Sequence, residues 1–264
     1  MAAAMLEIKT LGKRFPARAG REPPPWIIQD MSFSVGEGEL LTMVGPSGAG
    51  KSTLLNIIAQ IDVASAGEIT FDGQCIVSAE QKALHPGLNR RIGYVTQDDN
   101  LLPWRTTIDN VLFPREVQGT LDDEARAQAQ ELIAAVGLTG FERYYPHELS
   151  GGMRKRAALI RTLVYDPPMI LMDEPFAAVD AQTRTQLQED LLRLWSLKKK
   201  TILFVTHDIT EAIALGDRAL VLTRRPARIA AEHPIPIPRP RNVKDIFTMP
   251  GFAAIYERIR ADVQ

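Results

Sequence analysis

The sequence predicts an α/β protein, with a mixed β-sheet core that is interrupted by an inserted α-helical subdomain. Three observations predict this fold class: short strand-like runs recur along the chain, a glycine-rich segment joins one run to a helix, and the stretch between 97 and 167 is helical in pattern. The strand-like runs are Leu6–Thr10, Ile27–Val35, Leu40–Val44, Glu68–Asp72, Arg91–Thr96, Met169–Met172, Thr201–Val205 and Ala219–Thr223.

The pattern within these runs indicates two kinds of sheet. The first two alternate apolar and polar residues, as in a half-exposed sheet, whereas the later ones are almost continuously apolar, as in a buried parallel sheet. In the helical stretch, Asp122 is predicted to cap a helix that runs to Val136 and ends at Gly137. A later helix is predicted from one apolar face, formed by Leu187, Leu191, Leu194 and Trp195.

The predicted domain organisation is one large domain followed by a short tail. The domain is expected to cover residues 1–232, with the helical subdomain at about 98–166, and the tail to cover residues 233–264. Alternating prolines in His233–Arg241 predict extended backbone there, because proline cannot continue a helix. The segment Arg18–Pro25 is predicted to be an irregular loop, and His85, His147 and His233 are expected at the surface without partners.

Composition excludes several classes of protein. A formal net charge of −1 gives no bulk electrostatic attraction to nucleic acid. A single cysteine excludes an internal disulfide and a multi-cysteine zinc site, and is typical of a reducing compartment. No apolar run approaches the length of a membrane span, and the segment Met1–Met5 lacks the pattern of a signal peptide. We therefore expect a cytosolic protein that can dock onto a membrane protein.

The glycine-rich segment has the spacing of a phosphate-binding loop between a strand and a helix. The pattern G-x-x-x-x-G-K-[S/T] places successive backbone N–H groups around an anion, at the positive end of the following helix. Lys51 would add a charge facing the outer phosphates, and Ser52 a hydroxyl ligand for Mg²⁺. The segment predicts a nucleoside triphosphate site formed by Gly45, Pro46, Ser47, Gly48, Ala49, Gly50, Lys51, Ser52 and Thr53.

Two further segments carry residues suited to phosphate chemistry. The apolar run Met169–Met172 ends in Asp173 and Glu174, so that a buried strand delivers a carboxylate for Mg²⁺ and a second one for the attacking water. Two solvated acids at a strand end are the alternative, which the nearby phosphate-binding loop disfavours. Ser150 is a plausible helix N-cap followed by Gly151 and Gly152, which permit close approach of a ligand to the backbone.

Together these motifs resemble the nucleotide-binding subunit of an ABC transporter. The resemblance identifies the fold as a P-loop NTPase of the ABC ATPase type and covers about 5–229. Leu149–Gly152 matches the LSGG signature, Gly45–Ser52 matches Walker A, and Met169–Asp173 matches Walker B. Three single residues match the family's Q-loop, D-loop and switch histidine: Gln97, Asp180 and His207. Ala177 and Val179 replace the glycine and leucine that are common in the family's D-loop.

The resemblance implies roles for these residues. Glu174 would be the general base, with His207 on the γ-phosphate and Gln97 as a sensor; these three are the candidate catalytic residues. Mg²⁺ would be held by Ser52, Gln97 and Asp173, and adenine would stack on Phe15, although an aromatic near a short strand is more often part of the core. In a head-to-tail dimer, the ATP of one copy would also contact the other copy's Ser150, Gly151, Gly152 and Asp180.

The resemblance also implies partners and a location. Phrases such as Leu101–Thr106 and Arg224–Ile229 resemble the importer branch for nitrate, taurine and other sulfonates, and bicarbonate. This implies an ATPase that forms a homodimer or pairs with a similar subunit. It would dock on permease subunits at the cytoplasmic face of the inner membrane. A periplasmic binding protein would be an indirect partner. Leu101, Leu102 and Trp104, close to Gln97 in the sequence, are expected to line the docking groove, with local packing under the helical insert as the alternative. An export or lipid-transport ATPase, and a nucleic-acid-associated or ribosome-associated one, are the alternatives.

Overall fold

The computed structural model describes residues 4–16, 22–78 and 87–263. The chain forms two compact units. The first, here called the core unit, consists of Met1–Asn89 and Thr201–Gln264, and the second, here called the inserted unit, is Arg90–Lys200. The inserted unit extends beyond the predicted helical segment on both sides, because it contains two strands as well as helices.

The core unit contains an antiparallel sheet of four strands in the order β2-β1-β4-β5. In β1 and β2 the buried residues alternate in part with exposed ones, as predicted for a half-exposed sheet. The fourth strand, β5, was not predicted from the sequence. The strands are β1 (Ala4–Lys13), β2 (Ile28–Gly36), β4 (Ala66–Phe71) and β5 (Gln74–Ser78).

A second group of four strands in the core unit has the order β10-β9-β3-β8. Strand β3 runs parallel to both neighbours, whereas β10 is antiparallel to β9. All residues of β3 and β8 are buried, which confirms that these runs belong to a covered parallel sheet. The strands are β3 (Leu40–Val44), β8 (Thr201–Thr206), β9 (Arg218–Leu222) and β10 (Ile229–Pro234).

Among the described residues, three α-helices lie wholly within the core unit. Helix α1 (Lys51–Ile58) follows the predicted phosphate-binding loop, α7 (Ile209–Leu215) follows β8, and α8 (Phe252–Asp262) lies near the C-terminus. Helix α8 was not predicted, because the sequence signal of the region was dominated by the prolines before it. Those prolines lie in β10 and in non-helical backbone, as expected.

The inserted unit combines two parallel strands with four long helices. Strand β6 (Ile92–Val95) follows the four-residue helix α2 (Leu88–Arg91) and pairs with β7 (Met169–Asp173). The predicted helix cap at Asp122 is confirmed, since its side chain accepts a hydrogen bond from Ala125 N at 2.7 Å. The long helices are α3 (Thr107–Val117), α4 (Asp123–Ala135), α5 (Gly151–Leu163) and α6 (Ala181–Lys198).

The histidines differ from expectation at one position. His147 is exposed, as predicted, and His85 lies outside the described residues. His233 was expected to lack a partner, but its Nε2 lies 2.7 Å from the Asp262 carboxylate, because β10 and α8 bring these distant residues together. Within the described ranges, no helix has the length and apolar content that a membrane span requires.

Candidate nucleotide-binding site

The phosphate-binding loop connects the buried strand β3 to helix α1 in the core unit. Gly48 and Gly50 have φ angles of +77° and +111°, a region that residues with a Cβ seldom occupy. A Cβ on Gly45 would lie 2.9 Å from Leu222 Cβ, so this position is also restricted by packing. The first turn of α1 contains no acidic residue, which leaves its positive end available to an anion.

Lys51 is held against this loop. Its side chain is 4% exposed, and its Nζ donates to the carbonyl oxygens of Gly45 at 2.7 Å and Pro46 at 3.2 Å. A buried ammonium group in this position stabilises the curled backbone and places a positive charge where the outer phosphates of a nucleotide would bind. Ser52 is exposed, so its hydroxyl is accessible to a metal ion.

His207 lies at the same sheet edge as this loop. Strands β3 and β8 pair in parallel, with Val44 opposite Thr206. Gly45 and His207 directly follow these two residues, so they leave the sheet at the same edge. A hydrogen-bonded turn supports the exposed His207: Thr206 Oγ1 accepts from Asp208 N at 3.0 Å and donates to the Glu211 carboxylate. The fold therefore brings together two predicted site residues that are separated by 162 positions (207 − 45).

Phe15 follows β1 in the core unit and is 51% exposed. Lys13 Nζ lies 5.3 Å from the centre of its ring and pairs with Asp62 at 2.5 Å. In the strand register, Lys13 of β1 lies opposite Ile28 of β2. The residue before Ile28 lies against the phosphate-binding loop, since a Cβ on Gly50 would be 3.0 Å from Ile27 Cγ2. The exposed ring is therefore connected to the phosphate-binding loop through one strand pair.

The acidic residues and Gln97 lie at one edge of the strand pair in the inserted unit. Val95 pairs with Met172, so Asp173 at the end of β7 and Glu174 directly after it lie next to the residues that follow β6. Asp173 is 9% exposed and Glu174 is half-buried. Gln97 is exposed, and its backbone oxygen accepts a hydrogen bond from Lys155 Nζ.

Glu174 has a left-handed backbone conformation, with φ at +44°. This conformation costs a residue with a side chain about 1–3 kcal/mol, and such residues cluster at active sites. A turn in which Ala177 N donates to Glu174 O at 3.2 Å follows it. The backbone thus begins to turn at Glu174, directly after the last residue of β7.

Tyr94, which sequence reasoning missed, forms a hydrogen bond with the Asp173 carboxylate. Burial of the ring, followed by the charge of Asp173 and this hydrogen bond, raises the pKa of the Tyr94 phenol. The phenol is therefore protonated at physiological pH and acts as the donor. The signal in the sequence was a tyrosine three residues before Gln97 on a predicted strand.

Ser150 is the N-cap of α5, and its Oγ accepts from Met153 N at 3.3 Å, as predicted. Ser150 and Gly151 are exposed. A Cβ on Gly152 would lie 2.6 Å from Thr183 Cγ2, so helix α6 leaves room only for glycine there. The exposed N-terminus of α5, which has no acidic residue in its first turn, can receive an anion.

Asp180 is the N-cap of α6, with its Oδ1 accepting from Thr183 N at 3.0 Å. This backbone hydrogen bond is the main reason that the pKa of Asp180 is lowered. Because Thr183 also lies against Gly152, the predicted D-loop and signature residues are neighbours in the inserted unit. Thr183 was missed because its contact with Gly152 depends on the packing of α6 against α5.

The residues fit a Mg²⁺–nucleotide complex in their chemistry. Hydroxyl, carboxylate and amide oxygens are the ligands that Mg²⁺ prefers in proteins, and Ser52, Asp173 and Gln97 supply them. No group of three or more His, Cys, Asp or Glu side chains forms a metal cluster among the described residues.

Comparison with known proteins agrees with this chemistry. The ABC transporter family model matches residues 28–177. An ABC transporter ATP-binding protein of Methanocaldococcus jannaschii is 46% identical over 237 residues, covering 90% of this chain and 84% of that protein. The taurine import ATP-binding protein of Pseudomonas syringae pv. tomato is 39% identical over 264 residues, covering 98% and 96%.

A solved structure is similar in fold. It is a dimeric ATP-binding cassette in a post-hydrolysis state, bound to ADP and inorganic phosphate; it is 31% identical, with a TM-score of 0.73, and the match covers 88% of this chain and 99% of that one. The family match, the sequence identities and the arrangement of the phosphate-binding loop lead to the same conclusion. The chain belongs to the ABC transporter family, as one of its ATP-binding subunits.

Proposed function

We propose that this chain hydrolyses ATP to power the import of a small organic sulfonate of the taurine type. The arrangement at the two sheet edges supports this function best. One edge offers Lys51 and the phosphate-binding loop beside His207, and the other offers Asp173 and Glu174 beside Gln97. The sulfonate substrate is proposed from the taurine import relative, which is similar along almost the whole chain.

In the proposed reaction, the backbone of Gly45–Thr53, together with Lys51, binds the phosphates of ATP, and the exposed ring of Phe15 stacks on adenine. Ser52, Asp173 and Gln97 hold Mg²⁺, which when bound neutralises charge on the β- and γ-phosphates. Glu174 accepts the proton of the attacking water, and His207 donates a hydrogen bond to the γ-phosphate.

We further propose that two copies of the chain, or this chain and a similar subunit, bind ATP between them. Ser150, Gly151 and Gly152 of one copy would close the site of the other, with its Asp180 nearby. The exposed N-terminus of α5 supports this, since a γ-phosphate between two helix N-termini binds both subunits electrostatically. The dimeric state of the similar solved cassette is also consistent with it.

The proposed membrane partner is a permease at the cytoplasmic face of the inner membrane, on which the chain sits as a peripheral subunit. Trp104 is 71% exposed, whereas the neighbouring Leu101 is 8% exposed and belongs to the core. An exposed tryptophan close to Gln97 suits a docking surface that senses the state of the nucleotide site. A periplasmic binding protein would deliver the sulfonate to that permease, and co-purification of the chain with the permease would test the docking.

The Glu174→Gln variant tests the catalytic assignment. It retains the shape of the side chain but cannot accept a proton, so we expect kcat for ATP hydrolysis to fall by about 10²–10⁴-fold. The affinity for ATP should be unchanged, and the closed dimer should accumulate. Glu131→Gln, the same change at an exposed position of α4, is the matched control and should leave kcat unaltered. Near-normal turnover by Glu174→Gln would rule out Glu174 as the general base.

A further inference from the structure

Tyr94 lies on the same face of the β6–β7 pair as Asp173. Tyr94 pairs with Leu171, and residues two apart on a strand point to the same side, so Tyr94, Leu171 and Asp173 share one face. The preceding residue, Gly93, faces the other side, where a Cβ would meet Thr162 Cγ2 at 2.6 Å. Helix α5 therefore covers the side opposite to Tyr94.

The phenol of Tyr94 reaches along this face to the carboxylate of Asp173. An ionised carboxylate accepts hydrogen bonds and has no proton to give, so the Tyr94 hydroxyl is the donor. Asp173 is 9% exposed and follows four buried residues of β7, which leaves its side chain few directions. A donor on one carboxylate oxygen restricts where the second oxygen points.

We propose that Tyr94 is a positioning residue for magnesium, because its hydroxyl orients the Asp173 carboxylate toward the metal of the bound nucleotide. This inference rests on the proposed role of Asp173 as a metal-side carboxylate. Outer partners of this kind orient the ligand, and their loss typically weakens metal binding by about 10–100-fold. The same hydrogen bond joins the strand that leads to Gln97 to the strand that ends in Asp173, so it also holds two proposed metal-side residues in register.

A purely structural role for Tyr94 makes a different prediction. Phenylalanine fills the same space on the strand but lacks the hydroxyl. If the hydroxyl of Tyr94 only supports the fold, Tyr94→Phe should lower stability and nucleotide affinity rather than metal affinity. The neighbouring Tyr165 provides a matched control, because its hydroxyl lies 3.3 Å from the position of a Cβ on Gly93, on the opposite side of the same strand.

The experiment is a titration of the ADP-loaded protein with Mn²⁺, followed by electron paramagnetic resonance. We expect Tyr94→Phe to raise the Mn²⁺ Kd about tenfold, with unchanged Tm and unchanged affinity for ADP in metal-free buffer. Tyr165→Phe should have the Mn²⁺ Kd of the unmodified protein. An unchanged Kd in Tyr94→Phe, or an equal rise in Tyr165→Phe, would overturn the inference.

Asp173→Asn separates this inference from the proposed function. If Asp173→Asn weakens Mn²⁺ binding and Tyr94→Phe does not, the metal site stands and the role of Tyr94 is wrong. If Asp173→Asn binds Mn²⁺ normally, both the metal assignment and the inference fail. In the double variant, Tyr94→Phe should add no loss beyond that of Asp173→Asn, because Tyr94 acts through that carboxylate; fully additive losses would exclude the positioning role.

Discussion

At the scale of single residues, the buried Lys51 supports the proposed phosphate-binding loop. Its ammonium group donates to two carbonyl oxygens of the loop that it serves. In both contacts the partner of the ammonium group is a neutral carbonyl oxygen and not a carboxylate. A phosphate can therefore compete with these oxygens for the Lys51 charge. The two hydrogen bonds of Lys51 therefore stabilise the curled loop by themselves.

Lys51→Ala should weaken ATP binding, because it removes both the charge facing the outer phosphates and the donor that supports the loop. We expect a loss of affinity of at least about tenfold, equivalent to about 1.4 kcal/mol. Equilibrium binding of fluorescent ATP measures it. Lys9→Ala, at an exposed position of β1, is the control and should bind normally. Unchanged affinity in Lys51→Ala would mean that the backbone N–H groups alone carry binding.

At the scale of elements, the segment after β10 is anchored by Arg241 to the end of α7. The Arg241 side chain is buried, and burial lowers the pKa of its guanidinium to about 10. Arg239 adds a second link, donating to Leu215 O at 2.6 Å and to Asp217 at 2.8 Å. The carbonyl groups that accept from Arg241 belong to Ile213, Ala214, Gly216, Ile235 and Ile237.

Arg241→Met should destabilise the protein, because buried carbonyl groups would lose their donor while the apolar part of the side chain is kept. We expect a loss of about 3 kcal/mol in the free energy of unfolding, measured by urea denaturation. Arg260→Met, at an exposed position of α8, should change stability by less than about 0.5 kcal/mol. Equal stability of the two variants would show that the anchor contributes nothing.

At the scale of the whole molecule, the proposed dimer explains why Ser150 and Gly151 are exposed at a helix N-terminus. An N-terminus that is capped by its own serine does not require further protein around it. The exposed glycine allows another molecule to approach the backbone closely. A site shared between copies uses both properties.

Ser150→Arg should allow ATP to bind to each copy but prevent closure of the dimer, because the bulky side chain occupies the proposed contact. Mixing it with Lys51→Ala should restore activity relative to either variant alone, since one of the two shared sites then has an intact loop and an intact signature. ATPase assays of the mixture measure this. Ser196→Arg, at an exposed serine of α6, is the control. Full hydrolysis by Ser150→Arg alone would contradict a shared site.

By itself, the sequence determined the features that depend on neighbouring residues. The phosphate-binding loop, the strand ending in Asp173 and Glu174, and the caps Asp122 and Ser150 follow from local spacing, because capping and backbone curvature act within a few residues. The buried parallel strands were readable from their continuous apolar composition. These features were sufficient to predict the class of protein and most of its candidate site.

Only the tertiary structure decided which distant residues meet. The placement of His207 beside Gly45, the Tyr94–Asp173 hydrogen bond and the contact of Thr183 with Gly152 each depend on strand register or helix packing. The Arg241 anchor was missed for the same reason, because its acceptors include the last residues of α7. Register and packing are set by the free energy of the whole folded chain, so contacts between segments that are distant in sequence appear only when the chain is folded.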